Sequence, residues 1–181
     1  MYKVGDKVVY PFHGAGTVVK KENRSILGQE REYLTIQILY NDMTVNVPAE
    51  NAERVGLRKV IDEIMVEQVL EVLHGSGTNL NEPKRLYMEM PKNWDRRFKH
   101  NRDKMKTGDI FELAEVVRNL SLRNLSRRDQ EKELSPREKE MFVKAKKILA
   151  SELMYAKGLD EEGAAAWLDD VLTGVGDPVL S

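Results

Sequence analysis

Hydrophobic and polar positions alternate through residues 1–48, and from about residue 58 onward they recur with the period of a helix. Val4-Gly5-Asp6-Lys7 reads as a turn leading into a strand at Val8-Val9-Tyr10, and Pro11 stops it. Gly14-Ala15-Gly16 then precedes a second strand at Thr17-Val18-Val19. The clearest strand spans Arg31 to Tyr40: Leu34, Ile36, Ile38 and Tyr40 point one way, and Tyr33, Thr35, Gln37 and Leu39 the other. Asn41-Asp42 is a turn, Met43, Val45 and Val47 alternate after it, and Pro48 ends the pattern. Four or five short strands joined by tight turns predict a small barrel or curled sheet. Its core is too small to be stable without help from the rest of the chain or a partner.

In the second half, Val60, Ile61, Ile64, Met65, Val69, Leu70 and Leu73 share one helical face, which His74-Gly75-Ser76-Gly77 ends. The stretch to Pro91 reads as a long loop. Asn93 can cap a helix from Trp94 to about Lys106, Thr107-Gly108 breaks it, and Asp109 can cap the next. That next helix carries an Ile110, Leu113, Val117, Leu120 stripe. Ser135-Pro136-Arg137-Glu138 combines a serine cap, proline at the first helical position and glutamate three residues on. Phe142, Ala145, Leu149 and Leu153 follow at helical spacing, and a last helix spans Asp160 to Leu172 before a frayed tail. Asn119-Leu120-Ser121 recurs as Asn124-Leu125-Ser126, a local insertion and not a solenoid repeat. The pattern therefore predicts an α+β chain, with a strand-built part over residues 1–52 and a helical part over 53–181.

Composition narrows the class without overturning this picture. The chain has 181 residues, 41% hydrophobic and 33% charged, with a mean hydropathy of −0.52. No apolar run approaches the roughly 18 residues of a membrane span. The first residues lack the pattern of a secretory signal, which makes a cytoplasmic protein the expectation. Cysteine is absent, which excludes disulfides and thiolate chemistry. His13, His74 and His100 fall in different elements with no metal-ligand spacing, so neither metal nor cofactor is expected. Gly14-Ala15-Gly16 lacks the lysine and following helix of a phosphate loop. No serine, lysine or carboxylate has a recognisable nucleophile setting, so an enzyme is not expected.

Charge is where the sequence speaks about partners. The net charge is −1, yet residues 92–147 hold 17 basic and 10 acidic residues. Within them Lys92 to Lys106 carries seven basic and two acidic side chains. On a helix, Trp94, Phe98, Asn101 and Met105 form one strip, flanked by Arg96, Arg97, His100 and Lys104 on one side and by Lys99, Arg102 and Lys106 on the other. Such a surface suits a polyanion, and it equally suits a salt-bridged solvated face. Trp94 has two readings: the first rung of a buried stripe, or an apolar side chain projecting from the first turn that wedges against a base step. Trp167, among alanines, reads as core.

The chain also resembles the CarD/CdnL family of bacterial transcription regulators. The matching pieces are VGDKVVYPFHGAGTV (4–18), the Arg24 to Gly28 turn RSILG, REYLTIQI (31–38), VPAENAERVGLR (47–58), NWDRRFK (93–99), GDIFELAEVVRNL (108–120), RRDQEKELSPREKEM (127–141) and AKKILASEL (145–153). The first of them also resembles the polymerase-binding module of transcription–repair coupling factors. The resemblance implies a Tudor-like N-terminal barrel that binds the β subunit of RNA polymerase. It implies a helical domain that meets promoter DNA at the upstream edge of the transcription bubble and stabilises the open complex. Trp94 matches the family's minor-groove wedge. Arg96, Arg97, Lys99 and Lys139 match DNA-contacting positions, with Lys139 exposed to rotation by the near-repeat at 119–126. Arg24 matches a polymerase contact, and Asn46, Val47 and Pro48 lie on the strand of that surface. Asn46 stands where some members carry arginine. The free protein would be a monomer, associated with the nucleoid through polymerase. The competing expectation is an adaptor that binds polymerase and recruits a second protein in place of DNA.

Overall fold

The structure, a computed structural model, describes residues 1–74 and 93–173. Five strands come first: β1 (Lys7–Tyr10), β2 (Gly14–Ile26), β3 (Gln29–Ile38), β4 (Thr44–Pro48) and β5 (Arg58–Lys59). They make one antiparallel sheet in the order β4-β3-β2-β1-β5. Among the described residues five α-helices follow: α1 (Glu63–His74), α2 (Trp94–Lys106), α3 (Ile110–Asp129), α4 (Pro136–Lys157) and α5 (Glu161–Thr173). This is the α+β arrangement expected, a curled β module ahead of a helical one. The expected loop at 75–92 and the tail from Gly174 lie outside the described residues.

The alternation in β3 does what its period demands. Leu34, Ile36 and Ile38 face inward and join Val8, Val18, Val47, Ala52 and Leu57 in the core of the sheet. The register of β2 against β3 shifts between Val18 and Lys20, leaving Val19 as a bulge and adding the local twist that curls the sheet. β2 and β3 are longer than short strands. Residues 20–26 pair with 29–35 as a ribbon that turns at Leu27-Gly28. Arg24 consequently lies within β2, opposite Arg31, and not in a turn.

The helical period begins later than the sequence suggests. Arg58 and Lys59 pair with Val9 and Val8, and Val60 N donates to Lys7 O at 3.3 Å, so the chain stays extended past residue 52. Asp62 accepts from Met65 N at 2.9 Å and starts α1. The buried face of α1 is Val66, Val69 and Leu73, whereas Ile64 is 73% exposed. The other start signals act as predicted. The Asn93 side chain accepts from Arg96 N. Asp109 accepts from Phe111 N and Glu112 N. Ser135 and Glu138 form a complete capping box with Pro136 at the first turn. The near-repeat at 119–126 lies inside one continuous helix, α3, with Leu120 buried and Leu125 on the surface.

α4 is the spine. Ala145, Leu149 and Leu153 are fully buried among the helices, and Ile148, Ser151 and Glu152 meet the strands. Ser151 Oγ accepts from Ala15 N at 2.9 Å and donates to Ile148 O at 2.6 Å. Gly14 makes this approach possible: at φ +97° a Cβ there would lie 2.9 Å from Ser151 Oγ. Beside it, Arg58 grips Glu152 through two bonds of 2.6 and 2.9 Å, while Glu152 also accepts from Ile61 N at 3.0 Å. Glu152 is 1% exposed. Arg58 further donates to Gly108 O at 2.7 Å, so one guanidinium ties β5, α4 and the α2–α3 junction together.

Candidate nucleic-acid interface

α2 exposes four of its cations and buries Arg97, Asn101 and Met105. Arg96, Lys99, Arg102 and Lys106 are exposed, and none makes an ion pair among the described residues. Lys104 differs, being held by Glu115. Arg97 corrects the expected flank: it is 8% exposed, on the buried face with Asn101 and Met105. The helical geometry explains it, since 97, 101 and 105 are spaced by four residues and share a face.

Trp94 occupies the first turn of α2. It is partly buried, and its ring stacks on Phe98 at 5.3 Å with an interplanar angle of 12°. Its indole Nε1 donates to Ser135 Oγ at 3.3 Å, the residue that caps α4. Phe98 packs against the helical core, and Trp94 is outside it. Phe98 is itself partly buried, not fully so. The Arg137 guanidinium sits 5.9 Å from the Trp94 ring and 5.3 Å from the Phe98 ring, a cation–π arrangement that spans both. Trp167, read as core, packs against the helical core with Lys157 over its ring at 5.2 Å.

Lys139 lies one turn beyond Ser135 on the other side of α4 from Arg137. It is exposed and paired with Glu133, whose carboxyl is held below the usual range by that bond. Lys139 also lines a hollow of about 450 Å³ with Phe12, His13, Tyr40, Lys144 and Lys147. The Lys144 ammonium stands 3.5 Å from the centre of the Phe12 ring, and burial pushes its pKa down. Burial and then the Lys144 charge lower the pKa of His13, which stacks on Tyr10. Phe12 has φ +66°, the left-handed region that an aromatic residue seldom adopts.

At the opposite end, the structure brings Arg24 and Asn46 together. Arg24 donates to Glu22 Oε1 at 2.7 Å and reaches Asn46 Oδ1 at 3.4 Å, over the ring of Tyr33. Thr35 donates to the same Asn46 oxygen at 2.8 Å. Hydrogen bonds from Lys20 and Arg24 hold the Glu22 carboxyl below its ordinary range. Val47 faces the other way. At 3% exposure its side chain belongs to the sheet core, and it can offer a partner only its backbone. Pro48 ends β4, the edge strand.

Residues 2–61 match the family model described as CarD-like/TRCF RID domain, and residues 68–169 match the model described as CarD, C-terminal domain. The chain belongs to the CarD family. A Bacillus subtilis (strain 168) protein, YdeB, whose name makes it a candidate transcription factor, is 35% identical over 163 residues, covering 90% of this chain and 96% of that protein. The first CarD match ends at residue 61, between β5 and α1 where the strands give way to helices, and the second begins at residue 68, within α1.

Two features of this CarD chain escape sequence reasoning. Arg58 and Glu152 lie 94 residues apart and neither has a motif, although Ser151-Glu152 interrupts an otherwise apolar face of α4 and so marks something polar being buried. Arg137 reads only as part of a cap, and its place over two aromatic rings depends on how α2 crosses α4. Among the described residues no helix is long and apolar enough to cross a membrane, and no three His, Asp or Glu residues are grouped to hold a metal.

Proposed function

We propose that this protein is a transcription regulator that binds the β subunit of RNA polymerase through its sheet and stabilises the open promoter complex through Trp94 and the cations of α2. One observation carries the reading: Trp94 rests on Phe98 outside the helical core, at the head of a helix whose exposed Arg96 and Lys99 have no carboxylate partner among the described residues. Membership of the CarD family supports it, as does the likeness to YdeB. Arg24 and Asn46, with the backbone of Val47 and Pro48 at the sheet edge, supply the polymerase surface; an edge strand can extend a partner's sheet by backbone hydrogen bonds. Residues 1–52 carry that contact and 53–181 the DNA contact, with Arg58 at the joint.

The physical logic needs both parts. A weak DNA binder gains effective concentration when a second module tethers it to polymerase. Arg96 and Lys99 supply sequence-independent phosphate contacts, and Lys139 adds a third once it leaves Glu133. Such contacts alone shift no equilibrium between closed and open DNA, because they favour both. Trp94 provides the difference. An opened fork presents an exposed base step, whereas intact duplex has to be unstacked at a cost of a few kcal/mol. The indole then exchanges its bond to Ser135 and its stack on Phe98 for a base.

The test is the lifetime of open complexes formed by the bacterial polymerase on a promoter, with and without this protein. Trp94→Ala should still co-purify with polymerase but lengthen the lifetime far less than the parent. A Trp94→Ala protein that matches the parent in this assay defeats the wedge. Retained polymerase binding with no DNA-dependent effect from either protein would favour an adaptor.

A further inference from the structure

Phe12 and Phe98 face a hollow of about 300 Å³ between the β1–β2 loop, α2 and α4. Phe98 also stacks on Trp94, so this ring is shared between the hollow and the stack. The rim of the hollow carries Arg102, Arg137 and Lys144 against a single acid, Glu140. Each of the three cations stands over one of the two rings: Lys144 over Phe12 at 3.5 Å, Arg137 over Phe98 at 5.3 Å and Arg102 over Phe98 at 6.0 Å. None of the three makes an ion pair among the described residues. Cations held over aromatic faces, in excess of carboxylates, describe a site short of an anion that also carries a flat ring. Among biological polyanions, single-stranded nucleic acid offers both in one unit, a phosphate joined to a base with a π face. Duplex DNA does not fit the same hollow, because its bases are stacked and paired.

We propose that this hollow binds one unpaired nucleotide of single-stranded DNA, its base against Phe12 and Phe98 and its phosphate among Arg102, Arg137 and Lys144. The inference deepens the function proposed above and rests on it for the source of the strand: a base released at the fork beside Trp94 is one aromatic ring away from the hollow. The volume is at the lower end of small-molecule sites, enough for a single base and not for a stacked pair. Held this way, a displaced base is withdrawn from re-pairing, which adds to the wedge a second preference for opened DNA.

The experiment titrates the full-length protein into a short oligothymidylate carrying one 2-aminopurine, and in parallel into a blunt duplex of mixed sequence. Stacking in the hollow should quench the 2-aminopurine fluorescence. Phe12→Leu should abolish most of the quench and weaken single-strand binding about tenfold, within the range of one lost base–aromatic stack. Duplex binding should change less than twofold. Lys144→Gln, on a partly exposed side chain, is the second variant should Phe12→Leu melt early; it should lower single-strand affinity several-fold and leave the duplex as it is. Absence of quench in the parent overturns the proposal, as do a quench retained in both variants or an equal loss on duplex and single strand. The wedge is judged separately, by Trp94→Ala in the open-complex assay. A quenched oligothymidylate with open complexes indifferent to Trp94 would leave the hollow standing and remove the fork as its source.

Discussion

Replacing Glu152 by alanine should be among the most damaging single changes in this protein, although the residue touches no candidate partner. Glu152 is 1% exposed and receives three hydrogen bonds, two from Arg58 and one from the backbone of Ile61. Removing one member of a buried pair strands the other and costs about 3–5 kcal/mol. The Arg58 side chain is 28% exposed and keeps its bonds to Gly108 O and Lys59 O, which places its share at the lower end. The Ile61 amide loses its acceptor, worth about 1–3 kcal/mol if it finds no other. A total of about 4–6 kcal/mol translates to a fall in Tm of roughly 8–24 °C for a protein of this size. The assay is a thermal melt followed by circular dichroism. Glu152→Gln should lose less, because its carbonyl still accepts from Ile61 N. The double variant Arg58→Met, Glu152→Leu should recover most of the loss, since well-packed apolar residues can replace a buried pair. A Glu152→Ala melt within about 2 °C of the parent, less than about 1 kcal/mol at this size, would refute the reasoning.

Phe98→Ala should lower Tm more than Trp94→Ala, because Phe98 packs on the core and Trp94 gives up chiefly a stack and one hydrogen bond, worth about 1–2 kcal/mol together; equal melts would place Trp94 in the core. The effect on open complexes should weaken as salt rises, and Arg96→Ala or Lys99→Ala should each reduce the slope of log affinity against log salt by about one; an unchanged slope in both variants would put these side chains off the DNA. Gly14→Ala should destabilise, since its φ of +97° and the Ser151 hydroxyl 2.9 Å from an added Cβ both oppose a side chain; an unchanged melt would refute this. His13 has a folded-state pKa below its ordinary 6.5, so the unfolded chain takes up its proton first as pH falls. Its contribution is therefore complete above 6.5 and is lost as pH drops from there through the lower folded value. Melts of His13→Gln should show a shallower loss of stability across that acidic window, and parallel curves for both proteins would contradict it.

Local signals were legible wherever a short stretch of chain decides its own structure. The Asn93, Asp109 and Ser135 caps act within one turn, and the Leu34, Ile36, Ile38 face follows from a period of two. Tertiary contact overrode the pattern at residues 58–62. Their apolar spacing suits a helix, but Arg58 has strand partners in β1 and an acid partner on α4, and these hold the chain extended. Arg97 failed for a related reason. Counting charges on a helix does not say which side of it another helix covers. The candidate site was readable as a set of residue types and not as an arrangement. Trp94, Phe98 and their cations are close in sequence, whereas Phe12, Arg137 and Lys144 join them only because α4 crosses both α2 and the β1–β2 loop.

A joint built from the Arg58–Glu152 pair and the Ala15–Ser151 bond passes displacement on instead of absorbing it. Both ties land on neighbouring residues of α4, whose first turn lies against Trp94. On the proposed function, the protein is then a ruler. From wherever the sheet is anchored, it delivers its aromatic tip at one set distance and one set angle. Its effect on a promoter would depend on where the strands separate relative to that anchor, a quantity counted in base pairs. Loosening the joint should broaden the range of spacings tolerated while lowering the effect at the best one.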